Sequence, residues 1–180
     1  KFFKKHLILD GSNEIINNFK KKYPNFKSRI HETYFENFET DEKFDLIVMG
    51  FILEHVDNPV EIMKYYKQFL TPNGRMFLSV PNAEVMNRKL GKLSGLLEDV
   101  TELSENDILL GHQRFYTRET FIKDIELSGL EVVNIEGIYL KPFTTKQMLS
   151  LNLDEIILNS LCQLGVNYPE LSCGILAEVK

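Results

Sequence analysis

The sequence has only two cysteines, no long apolar run and no excess of basic residues. Cys162 and Cys173 form no C-x-x-C pair and have no histidine nearby, so a cysteine-based metal site is not expected. So few cysteines indicate a reducing, cytoplasmic compartment. No apolar run approaches the roughly 18–20 residues that a membrane span needs, and we therefore predict no membrane partner.

The charge balance excludes a strongly basic protein. Lysine and arginine number 21 against 26 aspartate and glutamate residues, which gives a net charge of -5. That balance provides no general attraction to nucleic acid, so we predict no nucleic-acid partner. We also predict no metal site, because the sequence lacks H-E-x-x-H and its four histidines are widely scattered, at His6, His31, His55 and His112.

The pattern of apolar residues favours an α/β fold. At 180 residues the chain has the size of one domain. Ser12, Asn58 and Thr117 are predicted to cap helices that follow or precede short apolar strands. Such alternation is typical of a sheet with right-handed crossovers and helices on both faces. The predicted strands are 7–9, 28–35, 44–49, 76–80, 130–140 and 172–179.

Two segments do not fit simple alternation. Residues 83–112 form the longest stretch without a strand signal, and they adjoin strand ends, so we predict a lid or substrate wall there. Residues 145–165 are predicted as one helix that forms a second wall, makes a dimer contact or simply covers the sheet. The oligomeric state is not readable from the sequence.

The first helix is predicted to pack through Ile15, Phe19 and Tyr23.

An ordered set of short motifs carries a family resemblance. F-D-L-I-V begins at Phe44, L-E-H-V at Leu53, N-P at Asn58, L-x-P-x-G at Leu70 and V-P-N at Val80. I-L-D-G-S precedes the set and G-H-Q-R-F-Y-T follows it. Together they resemble the class I, Rossmann-like methyltransferases that use S-adenosylmethionine, over roughly residues 6–140. The most similar branch methylates quinone precursors, sugars, polyketides or surface-polysaccharide units, so a small-molecule substrate is expected.

The resemblance implies a cofactor site at the carboxyl ends of the strands. Asp10 would bind the ribose hydroxyls, with Gly11 and Ser12 beside it, and Phe35 would border adenine. Tyr34 departs from the acidic residue that the family often has near adenine. From the residues alone, Asp10 can equally support only the turn at Gly11. The floor beneath the methionine part is expected at Met49, Gly50 and Phe51.

Two histidines and an arginine are candidates for the acceptor end. His112 could take a proton from an acceptor hydroxyl, as could His55, and Arg114 could hold a substrate carboxylate or phosphate. Each has a structural alternative. Glu54 would pair with a backbone amide while His55 packs beneath a helix, and residues 112–114 would stabilise the start of the helix at Thr117.

The sequence departs from the family before Asp10. Family members carry G-x-G-x-G about 20 residues before this position, whereas only nine residues precede it here and none is glycine. We therefore expect a chain that begins after the first strand and its glycine loop. The strands ending at Asp10 and Met49 would then lack their common neighbour, and this chain would bind the cofactor poorly. The alternative is an inactive, methyltransferase-like binding subunit.

Overall fold

A computed structural model describes residues 3–180, apart from the side chains of residues 27 and 28. Strands and helices alternate through most of the chain, as the apolar pattern predicts. Two short 3-10 helices, Pro24–Arg29 and Phe35–Asn37, flank the second strand. The elements are β1 (Ile8–Asp10), α1 (Asn13–Lys22), β2 (Ile30–Glu32), β3 (Phe44–Gly50), α2 (Pro59–Lys67), β4 (Leu70–Pro81), α3 (Met86–Leu93), α4 (Glu105–Leu109), α5 (Arg118–Leu127), β5 (Val132–Leu140), α6 (Thr145–Ser150), α7 (Glu155–Val166) and β6 (Ser172–Val179).

The first compact unit extends to Glu42 and contains a two-stranded parallel sheet. β1 pairs with β2 and ends with Asp10 opposite Glu32. α1 follows at once, because the Ser12 side chain accepts a hydrogen bond from the backbone N–H of Ile15 and so caps the helix, as predicted. The strand, turn and helix therefore place Asp10 at a strand end directly before a helix N-terminus.

The packing face predicted for α1 is wrong by one position. Ile16 is the buried residue of the helix, with 1% of its surface exposed, whereas Ile15 is 56% exposed and Tyr23 is also exposed. Phe19 is half-buried. Ile16 and Phe19 are three residues apart, a spacing that brings side chains to one helical face as effectively as the spacing of four that led to Ile15.

The second compact unit, Lys43–Lys180, contains a four-stranded sheet in the order β3-β4-β6-β5. β3 and β4 are parallel, and β6 runs antiparallel to both of its neighbours. β1 and β3 belong to different sheets, and each pairs with one neighbour among the described strands. Alternate residues of β4 and β6 are fully buried: Met76, Leu78, Val80, Ile175, Ala177 and Val179.

The helices of the second unit largely confirm the prediction. Asn58 and Thr117 cap α2 and α5 through their side chains. The single helix predicted at 145–165 is wrong, because the structure has the separate helices α6 and α7. Asn152 lies between them with a positive φ of 46°, and Asp154 then starts α7 as its N-cap residue. No helix within residues 3–180 has the length and apolarity needed to cross a membrane.

Buried Asn82 joins the end of β4 to the segment that leads into β6. Its Nδ2 donates to the carbonyl oxygens of Pro169, at 3.1 Å, and Ser172, at 2.9 Å. Its Oδ1 accepts a hydrogen bond from the backbone N–H of Glu84 at 2.9 Å. The side chain satisfies three backbone groups where water has little access, since only 1% of Asn82 is exposed.

We expect Asn82→Ala to lower the free energy of unfolding by about 2–4 kcal/mol, because it leaves these backbone groups unpaired. Urea denaturation of the full-length protein measures the change. Asn73→Ala is the matched control, since Asn73 is exposed and a surface substitution of this kind changes stability by about 0.5 kcal/mol or less. Equal effects of the two substitutions would contradict this account of Asn82.

Candidate functional site

The predicted ribose-binding residues form a compact turn in the first unit. Asp10 accepts a hydrogen bond from the backbone N–H of Ser12 through Oδ1 at 2.7 Å. Its Oδ2 makes no hydrogen bond to the residues that the structure describes. A Cβ on Gly11 would lie 3.1 Å from the ring of Tyr34, so glycine lets the loop containing Tyr34 and Phe35 approach the turn. Asp10 therefore stabilises the turn through one carboxylate oxygen, and its other oxygen has no partner within the described part of the chain.

The carboxyl end of β3 has the second set of predicted cofactor residues. Met49 is buried in the core, whereas Gly50 and Phe51 are exposed. Phe51 adopts a left-handed conformation with φ of 55°, held by a 2.9 Å hydrogen bond from its backbone N–H to the carbonyl of Ser79. A non-glycine residue in this region is strained, and such strain concentrates at ligand sites. Gly50 and Phe51 are thus the residues at this strand end that a ligand can reach.

The chain that follows Phe51 is joined to the segment 111–114 by hydrogen bonds. Gln113 donates from its backbone N–H to the Glu54 carbonyl at 2.8 Å and from Nε2 to the His55 carbonyl at 2.8 Å. Arg114 donates to the carbonyls of Leu53 and Val56, among other acceptors. Residues 53–57 and 111–114 therefore form a hydrogen-bonded loop pair at the end of the segment 83–112, the predicted insertion.

The contacts of Arg114 favour a structural role, although with the chain after β3 and not with the start of the helix at Thr117. Its guanidinium donates to three backbone carbonyls, those of Leu53, Val56 and Asp57, and to Oε1 of Gln113. These bonds occupy most of its N–H donors. Substrate binding by Arg114 stays a prediction that the geometry does not favour.

The loop pair brings His55 and His112 together although they are far apart in sequence. Their ring centroids lie 4.8 Å apart in an edge-to-face arrangement. Nδ1 of His55 lies 3.2 Å from the carbonyl oxygen of Gly111, and Nδ1 of His112 lies 3.7 Å from Oδ1 of Asp107. The sequence gives no hint of this pairing, because no spacing rule connects the two histidines.

The buried environment of Glu54 differs from the one that its sequence position predicts. Its side chain is 1% exposed, and neither carboxylate oxygen makes a hydrogen bond of good geometry to the described residues. Its own backbone amide acts on the carboxylate only by lowering the pKa, against the larger effect of burial. Its Oε1 lies 3.9 Å from Nε2 of His55. The available signal was its position, since an acidic residue just after a buried strand and next to a histidine is placed at the ligand edge of the sheet.

Burial dominates the electrostatics of this cluster. It raises the pKa of Glu54 to about 7, against smaller lowering effects from its own backbone amide and from the charge of Arg114. Burial also lowers the pKa of His112, reinforced by the neighbouring His55 and opposed by Asp107. Perturbed groups of this kind gather at functional sites more often than elsewhere.

Comparison with known proteins gives one family and one fold. A family model described as a methyltransferase domain matches residues 7–135. The ubiquinone biosynthesis O-methyltransferase of Vibrio cholerae is 25% identical over 113 residues, which are 62% of this chain and 44% of that protein. The mitochondrial counterpart from Dictyostelium discoideum is 32% identical over 65 residues, 36% of this chain and 20% of that protein. The chain thus spans less than half the length of these curated relatives.

Solved structures agree on the fold. An S-adenosylmethionine-dependent methyltransferase from Mesorhizobium loti has a TM-score of 0.63 at 16% identity, covering 97% of this chain and 79% of that one. The plantazolicin methyltransferase BpumL, solved with a desmethyl plantazolicin analogue and SAH, has a TM-score of 0.60 at 18% identity, covering 97% and 66%. The predicted α/β, Rossmann-like methyltransferase fold is therefore confirmed, and the chain belongs to the methyltransferase-domain family.

Proposed function

We propose that the complete protein transfers a methyl group from S-adenosylmethionine to a small-molecule acceptor. The family match carries the proposal, because residues 7–135 include both the Asp10 turn and the end of β3. A carboxylate that ends a strand just before a helix is suited to the ribose hydroxyls of a nucleoside. The free Oδ2 of Asp10 and the SAH bound to a methyltransferase of the same fold support this cofactor.

The reaction is an in-line displacement. An oxygen, nitrogen or carbon atom of the acceptor attacks the methyl carbon, the carbon–sulfur bond breaks with its electron pair going to sulfur, and S-adenosylhomocysteine leaves. The proton of the acceptor departs to a base or to water. Holding the acceptor in line with the methyl group supplies most of the rate in such a reaction, so Gly50 and Phe51 would contribute by position.

We assign the acceptor end to the second unit, at His55 and His112. The insertion 83–112 would form its wall, because the loop pair joins its last residues to the chain after β3. Its acidic stretch, which includes Glu98, Asp99 and Glu102, disfavours a polyanionic acceptor. Exposed leucines in the same insertion, Leu93 and Leu96 among them, offer apolar contact. A phenol, a quinone precursor or a sugar unit fits these properties better than a nucleic acid.

Transfer of label from methyl-labelled S-adenosylmethionine tests the function. We expect the full-length protein to label at least one of three pools: phenols and catechols, quinone precursors, or sugar nucleotides. Mass spectrometry of the labelled product then identifies the acceptor. His112→Gln should lower the rate of labelling but leave the affinity for SAH nearly unchanged, because the substitution lies at the acceptor end. His6→Gln is the matched control, since His6 is exposed and remote in sequence.

Two outcomes would count against the proposal. A full-length protein that binds SAH but labels no pool would be a binding subunit that keeps the fold without the reaction. A full-length protein that shows no thermal shift at millimolar S-adenosylmethionine or SAH would lack the cofactor site altogether.

A further inference from the structure

The cluster of Glu54, His55 and His112 has the composition of a cation site. A donor atom from each of the three residues lies within 4.8 Å of the donor atoms of the other two. Imidazole nitrogens with a carboxylate oxygen are the ligands of zinc, iron, cobalt and related divalent ions. The three side chains come from two segments that the fold holds together through the bonds of Gln113 and Arg114.

The buried carboxylate needs a partner that the described residues do not provide. Both oxygens of Glu54 are shielded from solvent and make no hydrogen bond of good geometry to the residues that the structure describes. A buried carboxylate in this state costs several kcal/mol unless it is paired, protonated or bound to a metal. Arg114 is the positively charged side chain that acts on Glu54, but its guanidinium donates to backbone carbonyls and not to the carboxylate. A bound cation would compensate the carboxylate where the protein itself does not.

The ring nitrogens of His55 and His112 are arranged as those of metal-binding histidines are. Because a carbonyl oxygen only accepts, the contact with Gly111 requires the hydrogen of His55 on Nδ1, which leaves the lone pair on Nε2, the atom near Glu54. A histidine ligand whose other nitrogen donates to a carbonyl is the usual arrangement at metal sites. Nδ1 of His112 is also buried and without a hydrogen bond among the described residues.

A direct ion pair explains the geometry less well. The 3.9 Å between Nε2 of His55 and Oε1 of Glu54 is too long for a hydrogen bond. In a tetrahedral site, two ligand atoms that each lie about 2.1 Å from the ion are about 3.4 Å apart. The donor atoms of the cluster lie within 4.8 Å of one another, so closing around one ion requires the widest separation to shorten by about 1.4 Å, or roughly 0.7 Å for each side chain.

We propose that Glu54, His55 and His112 bind one divalent transition-metal cation. The charges around the cluster suit a cation, since Asp107 adds a second carboxylate 3.7 Å from Nδ1 of His112. The proposal replaces the prediction of no metal site, which relied on the scattering of histidines along the sequence. Three protein ligands leave coordination positions open for a ligand from solution.

The role of the cation in the reaction rests on the proposed function. An acceptor hydroxyl bound at an open coordination position of the cation would have a lower pKa, so it would lose its proton to water more readily. The oxygen then attacks the methyl carbon, and the electron pair of the carbon–sulfur bond leaves with the thioether. His55 and His112 would in this case activate the acceptor as ligands and not as free bases.

Titration of the EDTA-treated full-length protein with Co²⁺ and Zn²⁺ tests the site without any reaction. We expect one saturable site per chain, with visible Co²⁺ absorption that Zn²⁺ displaces. Glu54→Gln and His112→Gln should each weaken binding at least about tenfold, whereas His6→Gln should bind as the wild type does. The metal-free Glu54→Gln protein should melt at or above the wild-type temperature, because the substitution removes a buried charge.

The melting temperature of metal-free Glu54→Gln shows whether Glu54 is needed for the fold or only for binding the cation. A folded wild-type protein without saturable Co²⁺ or Zn²⁺ binding would overturn the proposal, as would unchanged affinity in Glu54→Gln. Calorimetry with SAH on the same preparations keeps the two proposals distinct. Site-dependent cation binding without methyl transfer would refute only the proposed function, and methyl transfer insensitive to EDTA in a protein that binds no cation would refute only the metal site.

Discussion

Asp10→Asn will weaken SAH binding by the full-length protein about 10–100-fold. Asparagine keeps an oxygen that can accept from the Ser12 N–H, so the turn before α1 is preserved. It loses the charge and the second acceptor that the ribose hydroxyls require. One hydrogen bond to a charged group is worth about 1.5–3 kcal/mol, and about 1.4 kcal/mol corresponds to a factor of ten. Isothermal titration calorimetry gives the affinity directly.

Glu14→Gln is the matched control for this prediction. Glu14 is an exposed carboxylate in the first turn of the same helix, so its replacement removes the same charge from the same region. We expect its SAH affinity to stay within about threefold of wild type, since a surface charge contributes little. If both variants lost affinity equally, the effect would reflect general charge and not a contact with the ribose.

Gly137→Ala will destabilise the protein by about 3 kcal/mol or more, the second large effect that we expect. A Cβ on Gly137 would lie 2.2 Å from the carbonyl oxygen of Gly165 and 2.5 Å from Oγ of Ser172. Neither atom can withdraw easily, because Ser172 donates to that carbonyl at 2.9 Å and both groups are buried. Overpacking against backbone forces the helix α7 away from β5. Urea denaturation of the full-length variant measures the loss.

Gly91→Ala provides the comparison for Gly137→Ala. A Cβ on Gly91 would meet only Leu97, at 3.6 Å, which is an ordinary contact. Gly91 lies inside α3, where alanine favours the helix by up to about 1 kcal/mol over glycine. We expect unchanged or slightly raised stability. A Gly137→Ala protein as stable as Gly91→Ala would show that α7 does not pack closely on β5.

Much of the fold could be predicted because local chemistry decides it. The apolar run Phe44–Met49 predicts a strand, and it forms β3. The burial on both faces that such a run favours is wrong for β3, because Val48 is 64% exposed. Ser12, Asn58 and Thr117 cap helices through side-chain bonds that depend on neighbouring residues alone. The helix break near Asn152 was missed, because a leucine pattern continues across it and a positive φ leaves little trace in the sequence.

The candidate site was harder to predict than the fold. The L-E-H-V motif located Glu54 and His55, but the approach of His112 depends on how the insertion 83–112 returns to the sheet. That return is set by bonds between distant segments, such as the one from Gln113 to the carbonyl of His55. The role of Arg114 was inferred from its charge, whereas its guanidinium bonds to backbone carbonyls.

A crystal structure of the full-length protein with SAH tests the central claim most directly. We predict that a ribose hydroxyl oxygen of the bound SAH lies about 2.6–3.2 Å from the Asp10 carboxylate. SAH bound elsewhere, with Asp10 contacting only the Ser12 amide, would contradict the account.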